Sequence, residues 1–503
     1  MPGPACDDGD DSSINGLAAH RDACTGALSR IRVKSGQLMA TSRTTALNIA
    51  ILAAGEGKRM RSGLPKVLHP LGGRPLLAHV LETARKLAAD RICVVYGHGG
   101  DAVRKRFPDP DLHWALQNPP QGTGHALAQA LPQLAPDGVT LVLFGADPLA
   151  RVDTLETVVR HARQGALSLL TIELDDPTGY GRIVRGPDGA VQAIVEHKDA
   201  TPEQRAVREI NTGVMAAPTE CFARWLQTVD NRNASGEYYL TDVIALARKD
   251  GVPIATSRAG SVIETLGVNT MRELAQLERL YQSAQANALL DAGVTLADPG
   301  RIDIRGALSC GADVAIDVGC VFEGAVRLAD GVSIGANCVL KDVTVEAGSQ
   351  VLPFSHLEDA TIGANCRIGP YARLRPGAVL AADVHIGNFV EVKASSIGHG
   401  SKANHLAYIG DTTMGAGVNF GAGSITANYD GANKHRTIIE DDASIGSNCV
   451  LVAPVKIGHG ATIGGGSTIA SEAPPETLTV ARARQVSVQG WKRPVKKPKP
   501  PKG

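Results

Sequence analysis

The sequence predicts an α/β chain in two parts, a domain with a mostly parallel sheet followed by a triangular β-helix. The chain has 503 residues, more than one ordinary core accommodates. Short apolar strands alternate with helical patterns over residues 47–269, whereas aliphatic residues recur at every sixth position after Gly293. Glycine is abundant, with 56 residues, and aromatic residues make up only 4% of the chain, which favours a turn-rich β region.

The first part, residues 47–269, has the strand–helix alternation of a domain whose sheet is mostly parallel. Apolar runs of strand length occur at residues 49–52, 92–95 and 139–144, and a helical pattern begins at Leu76. Parallel sheets of this kind bind ligands at the carboxyl ends of their strands. We therefore expect the chemistry of this domain in the loops that follow the strands.

Three further segments lie outside the two domains. Residues 1–46 are polar and without a sustained period, which indicates a disordered extension or a start-site artefact. Residues 481–503 form a basic C-terminal tail, which we expect to be solvated and flexible. Residues 270–293 predict one amphipathic linker helix. The residues expected on its apolar face are Leu274, Leu277, Tyr281 and Ala288.

The period of six predicts a β-helix over residues 294–480, in which each hexad forms one face and three hexads form one coil. The repeat slips near residues 340–345 and 426–439, which indicates ejected loops, and loops often carry function. Four cysteines lie four residues after a repeat position, and we expect them to be core residues rather than catalytic thiols. They are Cys320, Cys338, Cys366 and Cys449. The three in-register runs are Ile316, Phe322, Leu328, Ile334 and Leu340; Ile362, Ile368, Leu374, Leu380, Ile386 and Val392; and Ile439, Ile445, Leu451, Ile457, Ile463 and Ile469.

Composition argues against several classes of partner. Lys and Arg together equal Asp and Glu in number, at 51 each, so no global charge favours a nucleic acid or a membrane surface. Nine cysteines without a Cys-x-x-Cys pair fit free thiols in a reducing compartment. No signal peptide or run of about 18 apolar residues is present. These features predict a cytoplasmic protein that acts on small molecules.

The first strand–helix junction contains a glycine-rich turn. It reads Leu52-Ala53-Ala54-Gly55-Glu56-Gly57-Lys58-Arg59-Met60. Gly-x-Gly after a buried strand lets backbone N–H groups surround a phosphate, although the turn is neither a P-loop nor a dinucleotide fingerprint. The segment Leu64-Pro65-Lys66-Val67-Leu68 follows. Together the two segments resemble the signature of sugar-phosphate nucleotidyltransferases.

Further segments extend the resemblance to one family. From about residue 47 to the C-terminus the chain resembles the bacterial bifunctional N-acetylglucosamine-1-phosphate uridyltransferases/glucosamine-1-phosphate N-acetyltransferases. This resemblance implies a Rossmann-like nucleotidyltransferase domain, a left-handed β-helix of hexapeptide repeats and a homotrimer. The segments that carry it are residues 121–126, 176–182, 194–200, 209–213, 236–242, 373–377, 388–393, 401–408, 419–423 and 427–434.

The resemblance implies a uridyl-transfer site in the first domain. Lys66 and Arg59 would neutralise phosphate charge during catalysis. Asn269 would help to hold Mg²⁺. The residues implied to bind UDP-N-acetylglucosamine are Leu52, Ala53, Ala54, Gly55, Lys66, Gln117, Gly122, Thr123, Phe144, Gly145, Gly181, Glu196, Asn211, Tyr239 and Asn269.

The metal site departs from the family pattern at one position. The family has an Asp in a Tyr-Gly-Asp-x-Pro-Leu segment, where this chain has Ala146 followed by Asp147. Strand alternation predicts that a shift of one residue turns the side chain to the opposite face, so that Asp147 reaches the ion only after a local backbone rotation. We therefore consider Asp147 as a metal ligand and an impaired uridyl transfer as an alternative.

The resemblance also implies an acetyl-transfer site in the β-helix. His405 matches the general base, and an imidazole suits proton removal from an amine near neutral pH. The residues implied to bind glucosamine 1-phosphate are Arg375, Lys393, Tyr408 and Asn419. Those implied to bind acetyl-CoA are Ala422, Asn428, Tyr429, Ser447, Gly465 and Arg482. Asn428 is a candidate for positioning the base or the amine, and Tyr429 and Ser447 for donating to the acetyl carbonyl.

The implied function is the synthesis of UDP-N-acetylglucosamine from glucosamine 1-phosphate, acetyl-CoA and UTP, which supplies peptidoglycan and lipopolysaccharide precursors. Three alternatives remain. The β-helix could only regulate or oligomerise a nucleotidyltransferase, as in the adenylyltransferases for glucose 1-phosphate. The first domain could have become a binding module attached to an acetyltransferase, which Ala146 leaves open. The solenoid could also be purely structural.

Overall fold

The computed structural model describes residues 45–97 and 99–495. The proposed extension up to residue 44 and the end of the basic tail, residues 496–503, lie outside the described residues. Within the described part of the chain, no helix has both the length and the apolar character that crossing a bilayer requires.

The first part is a nine-stranded mixed sheet with helices, and a small separate hairpin lies between its strands β1 and β4 along the chain. In the sheet the strands follow the order β11-β7-β10-β6-β1-β4-β5, and β8 and β9 extend it from β10. The strands are β1 (Leu47–Leu52), the hairpin β2 (Pro70–Leu71) and β3 (Arg74–Pro75), β4 (Arg91–Tyr96), β5 (Leu112–Leu116), β6 (Val139–Phe144), β7 (Leu167–Glu173), β8 (Gly181–Arg185), β9 (Val191–Val195), β10 (Glu209–Pro218) and β11 (Ile254–Arg258). The helices are α1 (Leu76–Lys86), α2 (Gly100–Arg106), α3 (Thr123–Ala130), α4 (Val152–Arg163), α5 (Pro202–Arg205), α6 (Thr219–Trp225) and α7 (Val243–Lys249).

The central strand β1 is buried along its whole length because apolar side chains cover both faces of the sheet. Ile49 and Ile51 point into one core cluster, whereas Ala50 and Leu52 point into the other. Strand β1 pairs in parallel with β4 on one side and β6 on the other, so the carboxyl ends of all three strands open at the same edge. This edge is where a parallel sheet positions a ligand.

One long helix, α8 (Met271–Asp291), connects the sheet domain to the β-helix. Thr270 caps its first turn by accepting a hydrogen bond from the Glu273 N–H. The buried face differs from the predicted one, because Ala288 is exposed and Ala286 is buried. Gln282 is also buried, and its amide bonds both the N–H and the C=O of Ile304. The apolar pattern could not identify Gln282 as buried, because Gln282 is polar and is held by hydrogen bonds to the backbone at the edge of the first coil.

The second part is a parallel β-helix with three faces. The first face is an eleven-stranded sheet in the order β12-β14-β16-β18-β20-β23-β26-β29-β32-β35-β37. The other two faces share the long strands β13, β15, β17 and β19 and then separate into two ladders, β22-β25-β28-β31-β34 and β21-β24-β27-β30-β33-β36. The strands are β12 (Thr295–Leu296), β13 (Ile302–Cys310), β14 (Ala315–Ile316), β15 (Cys320–Leu328), β16 (Ser333–Ile334), β17 (Val339–Val345), β18 (Gln350–Val351), β19 (His356–Ile362), β20 (Arg367–Ile368), β21 (Arg373–Leu374), β22 (Ala378–Leu380), β23 (His385–Asn388), β24 (Glu391–Lys393), β25 (Ser396–Ile397), β26 (Lys402–His405), β27 (Tyr408–Gly410), β28 (Thr412–Met414), β29 (Asn419–Phe420), β30 (Ile425–Ala427), β31 (Thr437–Ile439), β32 (Ser444–Ile445), β33 (Val450–Val452), β34 (Val455–Ile457), β35 (Thr462–Ile463), β36 (Thr468–Ile469) and β37 (Leu478–Thr479).

The hexad positions form the core of the β-helix. Ile316 pairs with Ile334, one coil later, and Ile445 pairs with Ile463 in the same way. The four repeat cysteines are buried in the same cluster, as the sequence predicts. Each aliphatic side chain therefore stacks on its equivalent in the next coil, which gives the prism a continuous apolar interior.

Only one of the two predicted loop ejections is present. Near residues 340–345 the chain continues as β17, and the register against β15 merely shifts between Glu323 and Arg327. Asp342 turns this corner in the left-handed region, so one residue is lost without a loop. Between β30 and β31, however, residues 428–436 leave the prism. This segment is called the ejected loop below.

Candidate active sites

A cavity of about 500 Å³ opens at the carboxyl edge of β1 and β6. Many of the predicted nucleotide-binding residues line it, together with Glu56, Lys58 and Glu237, which were not predicted. The predicted residues that line the cavity are Leu52, Ala53, Ala54, Gly55, Lys66, Gln117, Gly122, Thr123, Phe144, Asp147 and Asn269. Residues far apart in sequence therefore meet in one cavity next to the glycine-rich turn.

The glycine-rich turn is fixed by close backbone packing. Gly57 has a φ of 63°, and a Cβ atom there would lie 2.9 Å from the Cβ of Lys66. Gly145, at the end of β6, approaches Ala53 equally closely, because its added Cβ would lie 2.9 Å from the Cβ of Ala53. Glycine is required at both positions for the loops to approach each other. The approach places Lys66 beside the glycine-rich turn.

The opposite wall of the cavity is formed by the turn before α3. Gln117 is buried, and its side-chain amide donates to the Gly122 carbonyl oxygen at 2.9 Å. Gly122 has a φ of 105°, and a Cβ there would clash with the backbone of Tyr238. The Thr123 hydroxyl accepts a hydrogen bond from the Leu240 N–H at 3.1 Å. These contacts fix the position of the wall against residues 238–240.

Lys66, Asp147 and Asn269 converge at the base of the cavity. The Lys66 ammonium donates to Asn269 Oδ1 at 3.3 Å. Burial lowers the pKa of Lys66, while the Asp147 carboxylate acts in the opposite direction. Burial raises the pKa of Asp147 to about 7, and Lys66 opposes this shift. A cation and a carboxylate that are both partly desolvated make this corner strongly polar.

Asp147 lines the cavity because the backbone turns after β6, which is the local rotation that the sequence-based expectation required. Strand β6 ends at Phe144, and the chain then turns, with the Asp147 N–H bonding the Phe144 carbonyl oxygen. Side-chain alternation applies only inside a strand, so both Ala146 and Asp147 line the cavity. A Cβ on Gly267 would lie 2.4 Å from Asp147 Oδ1, which places the carboxylate against the segment that carries Asn269.

The donor set fits a magnesium ion that is shared with substrate phosphates. Mg²⁺ prefers oxygen ligands and is held by one or two carboxylates together with substrate phosphates. Asp147 supplies a carboxylate, and Asn269 supplies an amide oxygen that only the Lys66 ammonium contacts among the described side chains. In the described part of the chain, no three His, Cys, Asp or Glu side chains cluster to hold a metal on their own. The residues present therefore fit a metal that arrives with its nucleotide.

Arg59 lies beside this cavity rather than in it. It is exposed, and it lines a neighbouring cleft that Asp147 and Asn269 also border. Arg59 also acts to lower the pKa of Lys66, which shows that the two cations are close. An exposed guanidinium at the entrance of the cavity is suited to binding an entering polyphosphate.

The predicted sugar-pocket residues gather at the junction of three strands. Asn211 of β10 pairs with Gly181 of β8, and the space beside Gly181 is bounded by the Glu196 carboxylate oxygens. Thr241 was not predicted, although it lies in one of the segments that carried the resemblance. Its hydroxyl donates to Glu196 Oε1 at 3.3 Å. Burial raises the pKa of Glu196 and also that of the nearby Tyr239.

His405 lies at one corner of the prism, at the end of β26. Its ring is exposed, and its Nδ1 lies 2.9 Å from Asn388 Oδ1 on the adjacent strand β23. Asn419 is on the next strand of the same face, and Tyr408 begins the next face just beyond the corner. Asn419 pairs with Lys402, three residues before His405, so the proposed base and two of the proposed sugar-binding residues lie on neighbouring strands of the β-helix.

A group of cations lies beyond this corner. Lys393 is close to Lys434 of the ejected loop, which lowers the pKa of Lys393, and Arg375 contributes to the same effect. Arg375 donates to Glu391 Oε1 at 2.7 Å, and this contact raises the pKa of Arg375. Lys434 was not predicted as a binding residue, although it ends the 427–434 segment. Two adjacent ammonium groups repel each other, so they favour an anionic ligand between them.

The ejected loop is held by its own polar contacts. The Asn428 amide donates to the Asp411 carboxylate and to the Tyr408 hydroxyl, at 3.5 Å for the latter. The Tyr429 hydroxyl donates to the Gly431 carbonyl oxygen at 2.6 Å. Asp430 accepts hydrogen bonds from two backbone N–H groups of the same loop. Neither Asn428 nor Tyr429 therefore contacts His405 by a hydrogen bond in this structure.

The remaining residues predicted to bind acetyl-CoA form a row across successive coils. The Asn448 N–H bonds the Ala422 carbonyl oxygen, and the Gly466 N–H bonds the Ser447 carbonyl oxygen. Arg482 donates to the Gly465 carbonyl oxygen at 2.7 Å. A row of small side chains ending in an arginine can accommodate an extended chain that carries phosphates.

Comparison with known families divides the chain in the same way. Residues 49–227 match the MobA-like NTP transferase domain, and residues 304–404 match the GMPPB C-terminal domain. Residues 436–471 match the bacterial transferase hexapeptide, with six repeats. These matches confirm the predicted fold class, a nucleotidyltransferase domain followed by a left-handed β-helix of hexapeptide repeats.

Similarity to whole proteins decides the family. A bifunctional protein GlmU from Nitrosospira multiformis is 60% identical over 90% of this chain and 99% of its own length. The same named protein from Chromobacterium violaceum is 61% identical over 90% of this chain and 99% of its own. The chain belongs to the bifunctional GlmU family. It is therefore an enzyme with two activities, a uridyltransferase joined to an acetyltransferase, and nothing in the comparisons favours an impaired first half.

Proposed function

We propose that the two activities use the two sites described above and act in sequence on one sugar phosphate. The β-helix transfers acetyl from acetyl-CoA to the amine of glucosamine 1-phosphate. The first domain then joins the N-acetylglucosamine 1-phosphate to UMP from UTP and releases pyrophosphate. The observation that carries the proposal is the meeting of a phosphate-binding turn with Lys66, Asp147 and Asn269 in one cavity of nucleotide size.

In the acetyl transfer, His405 removes the proton as the amine nitrogen attacks the thioester carbonyl carbon. The carbon–sulfur bond then breaks and coenzyme A leaves as the thiol. Lys393 and Lys434 hold the sugar phosphate, because their mutual repulsion is relieved when a dianion lies between them. The row from Ala422 to Gly465 holds the acetyl-CoA, with Arg482 at its end.

In the uridyl transfer, a phosphate oxygen of N-acetylglucosamine 1-phosphate attacks the α-phosphorus of UTP, and pyrophosphate leaves on the opposite side. Lys66 and Arg59 neutralise the charge that builds up on the phosphates. Glu196 and Asn211 bind the sugar hydroxyls beside Gly181, where an added Cβ would lie 3.1 Å from Ile194 and 3.4 Å from Glu196 Oε1. We propose that Asp147 and Asn269 hold Mg²⁺, which when bound would neutralise phosphate oxygens.

The same reasoning extends to assembly and location. We propose a homotrimer, because one corner of the β-helix exposes a stack of aromatic rings beside His405. The ring centroids of Phe354 and Tyr371 lie 4.9 Å apart, and those of Tyr371 and Phe389 lie 5.3 Å apart. We also propose a cytoplasmic location, where acetyl-CoA and UTP are found, and where the seven free cysteines of the described chain stay reduced. The product would supply peptidoglycan and lipopolysaccharide precursors.

Two assays on the purified chain test the proposal. Coenzyme A release is measured with acetyl-CoA and glucosamine 1-phosphate, and pyrophosphate release is measured with UTP, Mg²⁺ and N-acetylglucosamine 1-phosphate. We expect both activities, each dependent on its own sugar phosphate. Release of pyrophosphate with glucose 1-phosphate at the same rate would contradict the assignment of the sugar pocket.

A further inference from the structure

We propose that Asn388 is a positioning residue that fixes the ring proton of His405 on Nδ1 and so leaves Nε2 free to accept the proton of the substrate amine. The inference deepens the proposed acetyl transfer and rests on the role of His405 as its base. It assigns a function to a residue that none of the binding sets above includes.

The hydrogen bond itself determines the tautomer. Asn388 Oδ1 lies 2.9 Å from His405 Nδ1. An amide oxygen only accepts hydrogen bonds, so the ring nitrogen that it contacts must carry the proton. In a neutral imidazole the other nitrogen then has the free lone pair. Nε2 is therefore the basic atom, and it belongs to a ring that is exposed at the corner of the prism.

The backbone holds the two residues opposite each other. Asn388 pairs with His405 in the register between β23 and β26, and the Leu406 N–H bonds the Asn388 carbonyl oxygen at 3.0 Å. Asn388 is half-buried, whereas His405 is exposed. The backbone of the coil thus holds Asn388 in place, and the hydrogen bond to Asn388 orients the His405 ring.

The surroundings explain why an amide is suited to this position. His385 lies on the same strand as Asn388, and its pKa is lowered first by burial and then by Arg367 on β20, Lys402 on β26 and His405. On the following strand, β29, the residue paired with Lys402 is the neutral Asn419. A carboxylate at position 388 would favour the imidazolium form of His405. An amide orients the ring without adding that bias, so the ring remains available as a base.

The other candidate for this role is engaged elsewhere. The sequence pointed to Asn428 for positioning the base or the amine. Its side-chain amide instead contacts Asp411 and Tyr408. Asn388 is thus the side chain that contacts a ring nitrogen of His405 among the hydrogen bonds of the described residues.

Two substitutions of Asn388 in the full chain test the inference. Asn388→Leu removes the acceptor at similar volume, and we expect kcat for coenzyme A release to fall about 10–100-fold with little change in KM. Asn388→Asp keeps an acceptor for Nδ1–H and adds a charge. We expect this variant to recover most of the activity at high pH, with the acidic limb of its pH profile about one unit higher than in the wild type.

Controls separate this inference from the proposed function and from misfolding. His385→Gln removes the titratable neighbour on the same strand and is expected to keep kcat within about twofold of the wild type. Pyrophosphate release from UTP reports on folding, and it should be unchanged in every variant. If Asn388→Leu keeps full kcat and Asn388→Asp keeps the wild-type pH profile while His405→Ala is inactive, the positioning role is wrong and the base assignment stands. Full activity of His405→Ala would instead overturn the base assignment on which the inference rests.

Discussion

The two sites of this enzyme are built in different ways. The proposed uridyl-transfer cavity collects residues from several loops, so that Lys66 and Asn269, which are 203 positions apart, share a hydrogen bond. The proposed acetyl-transfer site uses neighbouring coils of one repeat, so that Asn388 and His405 meet simply because they are one coil apart. The first site is a cavity, whereas the second is an exposed corner.

The difference determines which substitutions each site tolerates. In the β-helix the position of a side chain is set by its place in the coil, so a functional residue cannot move along the sequence without leaving its ladder. In the loop after β6 the chain turns, and the carboxylate can be supplied from position 147 although position 146 is an alanine. The predictions below test this contrast, beginning with the largest expected effect.

Loss of the His405 base should nearly abolish acetyl transfer and spare uridyl transfer. We expect His405→Ala to lower coenzyme A release by about 10³-fold, the range that general base catalysis contributes. Pyrophosphate release should stay within twofold, because the first domain has its own core clusters. Equal loss of both activities would show that the variant acts through folding or that the sites are coupled.

Loss of the Asp147 carboxylate should lower uridyl transfer and spare acetyl transfer. We expect Asp147→Asn to lower pyrophosphate release by about 10²-fold and to weaken Mn²⁺ binding in the presence of UTP, measured by paramagnetic resonance. Coenzyme A release should not change. The matched variant Ala146→Asp/Asp147→Val returns the carboxylate to the family position. If that variant is far more active than the wild type, then Asp147 does not serve as the ligand.

Loss of the ejected-loop cation should weaken substrate binding without stopping catalysis. We expect Lys434→Met to raise KM for glucosamine 1-phosphate by about tenfold, since a charge-assisted hydrogen bond contributes about 1.5–3 kcal/mol. Its removal relieves the repulsion on Lys393, so the free energy of unfolding should not fall. Lys402→Met, on the outside of the neighbouring face, is the control. An unchanged KM in Lys434→Met would place the phosphate elsewhere.

The smallest effect concerns pH and the sugar pocket. Burial raises the pKa of Glu196 in the folded chain, so the folded state favours the protonated carboxyl. The stability that protonated Glu196 contributes is fully present below the pKa of this carboxyl in the unfolded chain. It is lost as pH rises through the pKa of the same carboxyl in the folded chain. We expect Glu196→Gln to melt slightly above the wild type at pH 7 and to match it near pH 4, while KM for N-acetylglucosamine 1-phosphate rises. A melting temperature of Glu196→Gln below that of the wild type at pH 7 would contradict this expectation.

The sequence predicted the repeat-based features well because their geometry is periodic. A residue such as Ile445 must point inward once the period of six is recognised, and Cys449 follows from the same count. The closeness of the glycine-rich turn to Lys66 was also predictable, because its glycines and Lys66 are close in sequence. The slip near residues 340–345 was misread, since a one-residue deletion at a corner and an ejected loop interrupt the period in the same way.

Features set by non-local contacts were not predictable. The direction of Asp147 depends on where β6 stops, which the apolar pattern does not specify. Ala288 was placed on the buried face of α8, but Gln282 and Ala286 lie there because the first coil offers backbone groups to bond. Lys434 and Thr241 were inside recognised segments, yet only the folded chain shows that they approach Lys393 and Glu196.

The central claim, two independent sites acting in sequence, has a direct test by mixing. His405→Ala and Asp147→Asn are each supplied with glucosamine 1-phosphate, acetyl-CoA, UTP and Mg²⁺, and UDP-N-acetylglucosamine is measured. We predict almost no product from either variant alone and restored product from their mixture, because N-acetylglucosamine 1-phosphate diffuses from one protein to the other. A mixture that stays as inactive as the separate variants would contradict the account.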